Sequence, residues 1–214
     1  MTKAQGNGNY KTPISLLLVE GETDELFWQQ VKKSSLNSCR IIIKDLKGNF
    51  NINEKVVDKV VEYCEKHIDE LVRIYCCIDR ESRNGKPPGF ELKTIIREIH
   101  ERNIESVLSI DKIIATQQIE SWFFWDMETI YKCLKVKHSQ RKSNAYHPPD
   151  RYTYHDMIKL FRNHGKTYNK GKRCGYFILQ LNLDIIIRNC SELRKGIKKI
   201  ESQANDMTNH LFSN

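Results

Sequence analysis

Residues 14–19 (ISLLLV) make an apolar run that ends on Glu20, with Gly21 directly behind it. Glu22, Thr23, Asp24 and Glu25 then open a helical pattern that puts Leu26, Phe27 and Val31 on one face. The run does not alternate apolar with polar residues, which suits a central strand covered on both faces. Gly21 permits a sharp turn out of it. A strand that delivers a carboxylate to its C-terminal tip and turns at once into a helix is how open α/β sheets present site residues. The rest of the chain reads as scaffold, further carboxylate donors and basic surface around that tip.

The same grammar repeats. Residues 40–46 (RIIIKDL) and 72–78 (VRIYCCI) read as strands, the latter running into Asp79-Arg80-Glu81; 106–110 is a shorter strand, and 112–116 has strand character of its own. Gly48 and Asn49 break the chain, and SRNGKPPG (82–89) is a loop. Helical stripes fall between the strands: Val56, Val57, Val60, Val61 and Cys64 within 54–66, then Leu92, Ile95, Ile96 and Ile99. Strands separated by helices imply βαβ crossovers, hence an α/β fold with a mainly parallel four-stranded sheet flanked by helices.

Beyond it, QIESWFFWD (118–126) is unusually aromatic and reads as helical into Leu134. Residues 137–151, with Pro148-Pro149, read as a loop, 152–161 as a helix and 163–175 as a basic loop. Two short helices follow, the second capped by Ser191 with Leu193, Ile197 and Ile200 inward. The expected organisation is a flexible arm over 1–12, an α/β core over 13–126, a helical basic part over 127–202 and a tail over 203–214.

Charge is unevenly placed. The formal net charge is +8, yet residues 132–173 alone hold twelve Lys and Arg against Asp150 and Asp156, a local +10 that leaves −2 for the remainder. Such asymmetry points to a polyanionic partner, DNA or RNA. Within it Lys142, Lys166, Lys170, Lys172 and Arg173 are the candidate phosphate contacts. No apolar run approaches the ~20 residues that span a bilayer, and 1–12 carries no apolar signal core, so a cytoplasmic protein with no membrane partner is expected. Seven cysteines, an odd number without any Cys-x-x-Cys, point to reduced thiols rather than a zinc cassette or a disulfide framework. His138, His147, His155 and His164 fall at no tight ligand spacing. Neither Gly-x-x-x-x-Gly-Lys nor Gly-x-Gly-x-x-Gly occurs, which disfavours a small-molecule phosphotransferase.

The chemistry-bearing constellation is Glu20 with Asp79 and Glu81, at the tips of two strands. Residues two apart in an extended chain point the same way, so Asp79 and Glu81 can address one ion. Converging carboxylates repel unless a cation lies between them, and a hard ion such as Mg²⁺ or Mn²⁺ takes oxygen ligands. One acid at a strand end is commonly just a loop residue; two tips backed by apolar strands favour a site. Trp122, Phe123, Phe124 and Trp125 offer stacking surfaces, though such a cluster is more often core.

Val19-Glu20-Gly21-Glu22-Thr23-Asp24-Glu25 resembles the glutamate motif of TOPRIM domains, and Ile78-Asp79-Arg80-Glu81 resembles their Asp-x-Asp motif with Glu in second place. Ile119-Glu120-Ser121-Trp122-Phe123 resembles a short helix of the small standalone RloB-like TOPRIM proteins of bacterial defence loci, and Tyr168-Asn169-Lys170, followed by an Ile/Leu-rich helix and Asn189-Cys190, resembles that group's C-terminal part. The resemblance spans roughly residues 14–200. It implies a Rossmann-like TOPRIM sheet and metal-dependent phosphodiester cleavage that uses one or two ions of Mg²⁺ or Mn²⁺. Glu20 is then ligand or general acid/base, Asp79 and Glu81 hold the metal, Asp24 serves a second ion and Glu120 is a further ligand. Lys170 offsets transition-state charge. An anti-phage role beside an ATPase partner is also implied. The alternatives are an RNase M5-like RNA-maturation nuclease and a non-catalytic module that binds nucleic acid or a partner.

Overall fold

The structure, a computed structural model, describes residues 12–142 and 144–204. The expected arm and tail therefore fall mostly on residues outside the described ones. Strand β1 (Ile14–Val19) is buried at all six positions. Leu16 and Leu18 enter the core on one face of the sheet, Leu17 and Val19 the core on the other. The absence of alternation thus has the physical cause expected: both faces are covered.

β1 pairs in parallel with β2 (Ile41–Asp45) and with β3 (Val72–Asp79), and β3 pairs in parallel with β4 (Val107–Ala115). The order is β2-β1-β3-β4, a four-stranded, all-parallel, Rossmann-like sheet. Helices α2 (Ile52–Lys66) and α3 (Leu92–Glu101) cover one face with Val56, Val57, Val60, Ile95 and Ile99. Helix α1 (Glu22–Ser34) covers the other with Phe27, Trp28 and Val31. The C-terminal helices share that second core: the Phe27 ring lies 5.4 Å from Phe123 and 5.9 Å from Trp122.

Several boundaries depart from the sequence reading, each for a local reason. The segments 106–110 and 112–116 are one strand. Asp111 pairs with Lys199 and Lys112 is exposed, so an edge strand tolerates the polar interruption. The aromatic helix is broken into α4 (Ile119–Phe123), a 3-10 turn to Asp126, and α5 (Met127–Cys133). Asp126 restarts the helix as its N-cap, accepting the Thr129 N–H at 3.2 Å, and takes the Asn182 N–H at 2.7 Å. Helix α6 (Tyr154–Asn163) starts later than expected because Thr153 and Asp156 close a capping box ahead of it.

Part of the basic loop winds into a 3-10 turn (Gly171–Cys174) and the one-turn α7 (Gly175–Ile178). Helices α8 (Leu183–Asn189) and α9 (Ser191–Gln203) close the chain. Ser191 is the first helical residue of α9, not its cap; Cys190 holds that position without a side-chain bond. Leu193, Ile197 and Ile200 are buried as expected, and a Cβ on Gly196 would stand 2.8 Å from Ile113, so α9 lies directly on β4. Trp122, Phe123 and Phe124 are core. Among the described residues no helix is long and apolar enough to cross a membrane.

Candidate active site

From β1 the chain steps to β2 on one side and then to β3 on the other. The topological switch point therefore lies between β1 and β3, where open α/β sheets leave a crevice at their carboxyl ends. Glu20 stands at the tip of β1 and Asp79 ends β3. Their neighbourhood is fixed by a hydrogen bond: the Asp79 backbone N–H donates to Glu20 Oε1 at 2.7 Å. Asp79 Oδ1 in turn accepts the Ile119 N–H at 3.0 Å, joining β3 to the start of α4. Asp24 lies in the first turn of α1 and is buried, where the helix dipole favours negative charge. Glu120, in α4, is 0% exposed.

Lys170 is the cation among these acids. Its Nζ lies 3.4 Å from Glu120 Oε1 and 4.7 Å from the centroid of the Tyr154 ring. Tyr168 donates its hydroxyl to the same Glu120 oxygen at 3.4 Å. The second oxygen, Glu120 Oε2, is buried without a hydrogen-bond partner among the described residues. The loop carrying Lys170 is strapped to α1: Thr23 Oγ1 accepts the Gly171 N–H at 2.7 Å, and Glu22 Oε2 accepts the Lys172 N–H at 3.3 Å. Gly171 is required there. Its φ is +76°, and a Cβ would stand 2.5 Å from Glu22 Oε2.

Glu20, Asp24, Asp79, Glu81 and Lys170 line one cleft of about 400 Å³. Burial raises the Glu20 carboxyl to about 7; Glu81 adds to the rise, while the Asp79 N–H and Lys170 oppose it. Asp24 and Asp79 are held well above the ordinary aspartate range, first by burial and then by repulsion from neighbouring acids. Burial also raises Glu120 despite Lys170 beside it. Burial alone would lower Lys170, but the charges of Glu120, Asp79 and Asp24 outweigh it and hold the ammonium above its usual value. One lysine does not neutralise this many acids, so the cluster favours protons or an added cation.

Not every expected site residue sits as the sequence suggested. The extended-chain argument fails at Glu81. Its φ is +56°, its N–H donates to Gln117 O at 2.7 Å, and its exposed carboxylate accepts from Asn49 Nδ2 at 3.2 Å. Glu81 therefore sits on the rim of the cleft rather than beside Asp79. Gly21 is in extended backbone that any residue adopts, and a Cβ would find its nearest neighbour at 3.9 Å, so no sharp turn demands glycine. Lys172 stays exposed beside Glu22. Lys166 and Arg173 line an adjoining cavity, and exposed Lys142 does not reach the cleft. The sequence reading missed Thr23, Tyr154, Gln118 and Asn49. Only Gly171, a glycine inside a lysine-rich loop, hinted at the close approach to α1.

The donor set suits a hard cation in kind and in charge, and the unpartnered Glu120 Oε2 offers a free acceptor. Among the described residues no three His, Cys, Asp or Glu side chains close tightly enough to enclose an ion as they stand. The chain matches no family model, no curated protein and no solved structure significantly.

Proposed function

We propose that the chain is a metal-dependent phosphodiesterase cutting DNA or RNA, a TOPRIM-like nuclease that serves anti-phage defence. The observation that carries this reading is the gathering of Glu20, Asp24 and Asp79 at the carboxyl edge of the switch point, with Glu120 and Lys170 against them. Glu20, Asp79 and Asp24 would hold Mg²⁺ or Mn²⁺, with Glu120 and Glu81 as further donors. A bound ion supplies polarisation of a phosphoryl oxygen and a more acidic water.

The chain's own groups do the rest. Lys170, held by Glu120 and backed by the Tyr154 ring, offsets negative charge developing on the phosphoryl group. Glu20 is ligand or base: raised to about 7 in the metal-free protein, its carboxyl is matched to taking a proton from an attacking water near neutral pH where it does not itself hold the ion. Lys142, Lys166, Lys172 and Arg173 neutralise flanking phosphates, which makes binding fall steeply with salt. An ATPase partner would gate such a site in a defence system.

A second reading, nucleic-acid binding without cutting, draws on the separation of the carboxylates as they stand. Purified protein incubated with Mg²⁺ or Mn²⁺ on supercoiled plasmid, single-stranded DNA and total tRNA separates the two. Cutting abolished by EDTA, by Glu20→Ala and by Asp79→Ala is the expected result. Salt-sensitive binding with no cutting of any polymer would leave the binding module.

A further inference from the structure

The loop that carries Lys170 has two sides. Lys170 and Gly171 wall the acidic cleft. Behind them Tyr168, Asn169 and Arg173 wall a separate cavity of about 170 Å³, completed by Lys166, Tyr176 and Phe177. Among the described residues no carboxylate lines it. Tyr168 lines this cavity and donates its hydroxyl to Glu120. Tyr168 meets Phe177 edge to face, with centroids 5.9 Å apart at 89°, so one wall is a set aromatic surface.

Tyr176 is different. Its side chain is 79% exposed, although the aromatic run at 122–124 is core and offers no stacking face. Water-exposed tyrosine beside cations is the chemistry of single-stranded nucleic-acid binding. Every base has a π-face to stack, and Lys or Arg meets the phosphates on either side. The Lys166 ammonium donates to the Cys133 carbonyl and keeps further N–H groups for a phosphate. Arg173 is exposed. The Asn169 amide supplies both a donor and an acceptor for a base edge.

We propose that this cavity receives an unpaired nucleobase beside the acidic cleft, stacked on Tyr176 with Lys166 and Arg173 on its backbone. The proposal rests on the reading that the chain acts on nucleic acid, and it narrows that substrate to a strand with an unpaired base. Lys170 and Arg173 are three residues apart, at most about 11 Å along the chain, so both cavities serve one short stretch of a single strand.

Three fluorescent oligonucleotides test it: a single strand, the same strand made of abasic nucleotides, and a duplex. They are titrated with the full chain in EDTA, so that no cutting intervenes. The native protein is expected to prefer the base-bearing single strand. Tyr176→Ala weakens that complex by about tenfold, the scale of one lost stack, and leaves the abasic complex and its salt dependence unchanged. Tyr176→Phe keeps the native affinity. Ile68→Ala, which trims an equally exposed apolar side chain at the far end of the sheet, changes nothing. Equal binding of Tyr176→Ala and native protein to the base-bearing strand overturns the proposal, as does an equal loss on the abasic strand. Failure of the nuclease reading looks different: the Tyr176 effect on binding persists while no condition gives cleavage.

Discussion

The two ends of the sheet make an instructive pair. At the amino ends of β3 and β4 lies the larger cavity, about 570 Å³, lined by Val61, Cys64, Ile68, Arg102 and Ile104 among others. At the carboxyl ends lies the smaller one, about 400 Å³, which collects Glu20, Asp24, Asp79, Glu81 and Lys170. Volume favours the first and chemistry the second. The larger groove is lined by residues from the end of α2 and from the segment that follows α3, and its charged residues, Glu65, Arg102 and Glu105, stay at the surface. The smaller one forms because parallel strands aim their C-terminal tips, and the N-termini of the helices that follow, at one place. Acids delivered there are buried together, which is unfavourable unless a ligand repays it. The site is therefore identified by buried convergent charge rather than by space.

The largest effects should separate these ends. Asp79→Asn is expected to cut metal-dependent cleavage by about 100- to 1,000-fold, the scale for one preorganised electrostatic group. Glu65→Gln at the opposite groove should leave cleavage unchanged in the same assay. Glu120→Gln comes next. It removes the charge that holds Lys170 and should lower activity by about 10- to 100-fold, as loss of a supporting group does, without weakening the fold. Parallel cleavage and thermal-unfolding measurements check both.

How far the sequence could be read follows the same division. The strand tips were legible because apolar runs ending in Glu20 and Asp79 report burial and termination together. Lys170 was legible as one of several basic residues of its loop and was singled out only through its resemblance to a known motif, since 148 residues of chain separate Gly171 from the Thr23 hydroxyl that anchors it. Glu81 was misjudged because spacing alone does not reveal that Gln117 O captures its N–H and turns the chain. Tyr154 and Asn49 carried no local signal; tertiary packing alone brings them to the site.

Backbone substitutions sharpen the contrast on a smaller scale. Gly171→Ala places a Cβ at φ +76° against Glu22, and should cost about 1–3 kcal/mol while loosening the loop under Lys170. Asn103 also has positive φ, 55°, but lines the opposite groove. Asn103→Gly should change stability by about 0.5 kcal/mol or less and activity not at all. Denaturant midpoints of the two variants make the comparison.

The pH dependence of the metal-free protein is the subtlest signature. Folding raises Glu20 from its ordinary 4.5 to about 7. The folded state keeps a proton that the unfolded chain has lost, so this stabilisation is full below about 4.5 and is lost as pH rises toward about 7. Glu20→Gln should reduce that slope, the rest coming from Asp24, Asp79 and Glu120, which burial raises in the same direction. Thermal midpoints in EDTA between pH 4 and pH 8, about the window set by linkage, record it.

The central claim is that the carboxyl-edge acids hold a divalent cation. Mn²⁺ titration of the full chain by calorimetry, with Asp79→Asn and Glu65→Gln measured beside it, tests this most directly. Saturable binding that is lost in Asp79→Asn and kept in Glu65→Gln is the expected result. Binding unchanged by Asp79→Asn, or lost equally in both variants, would contradict the account.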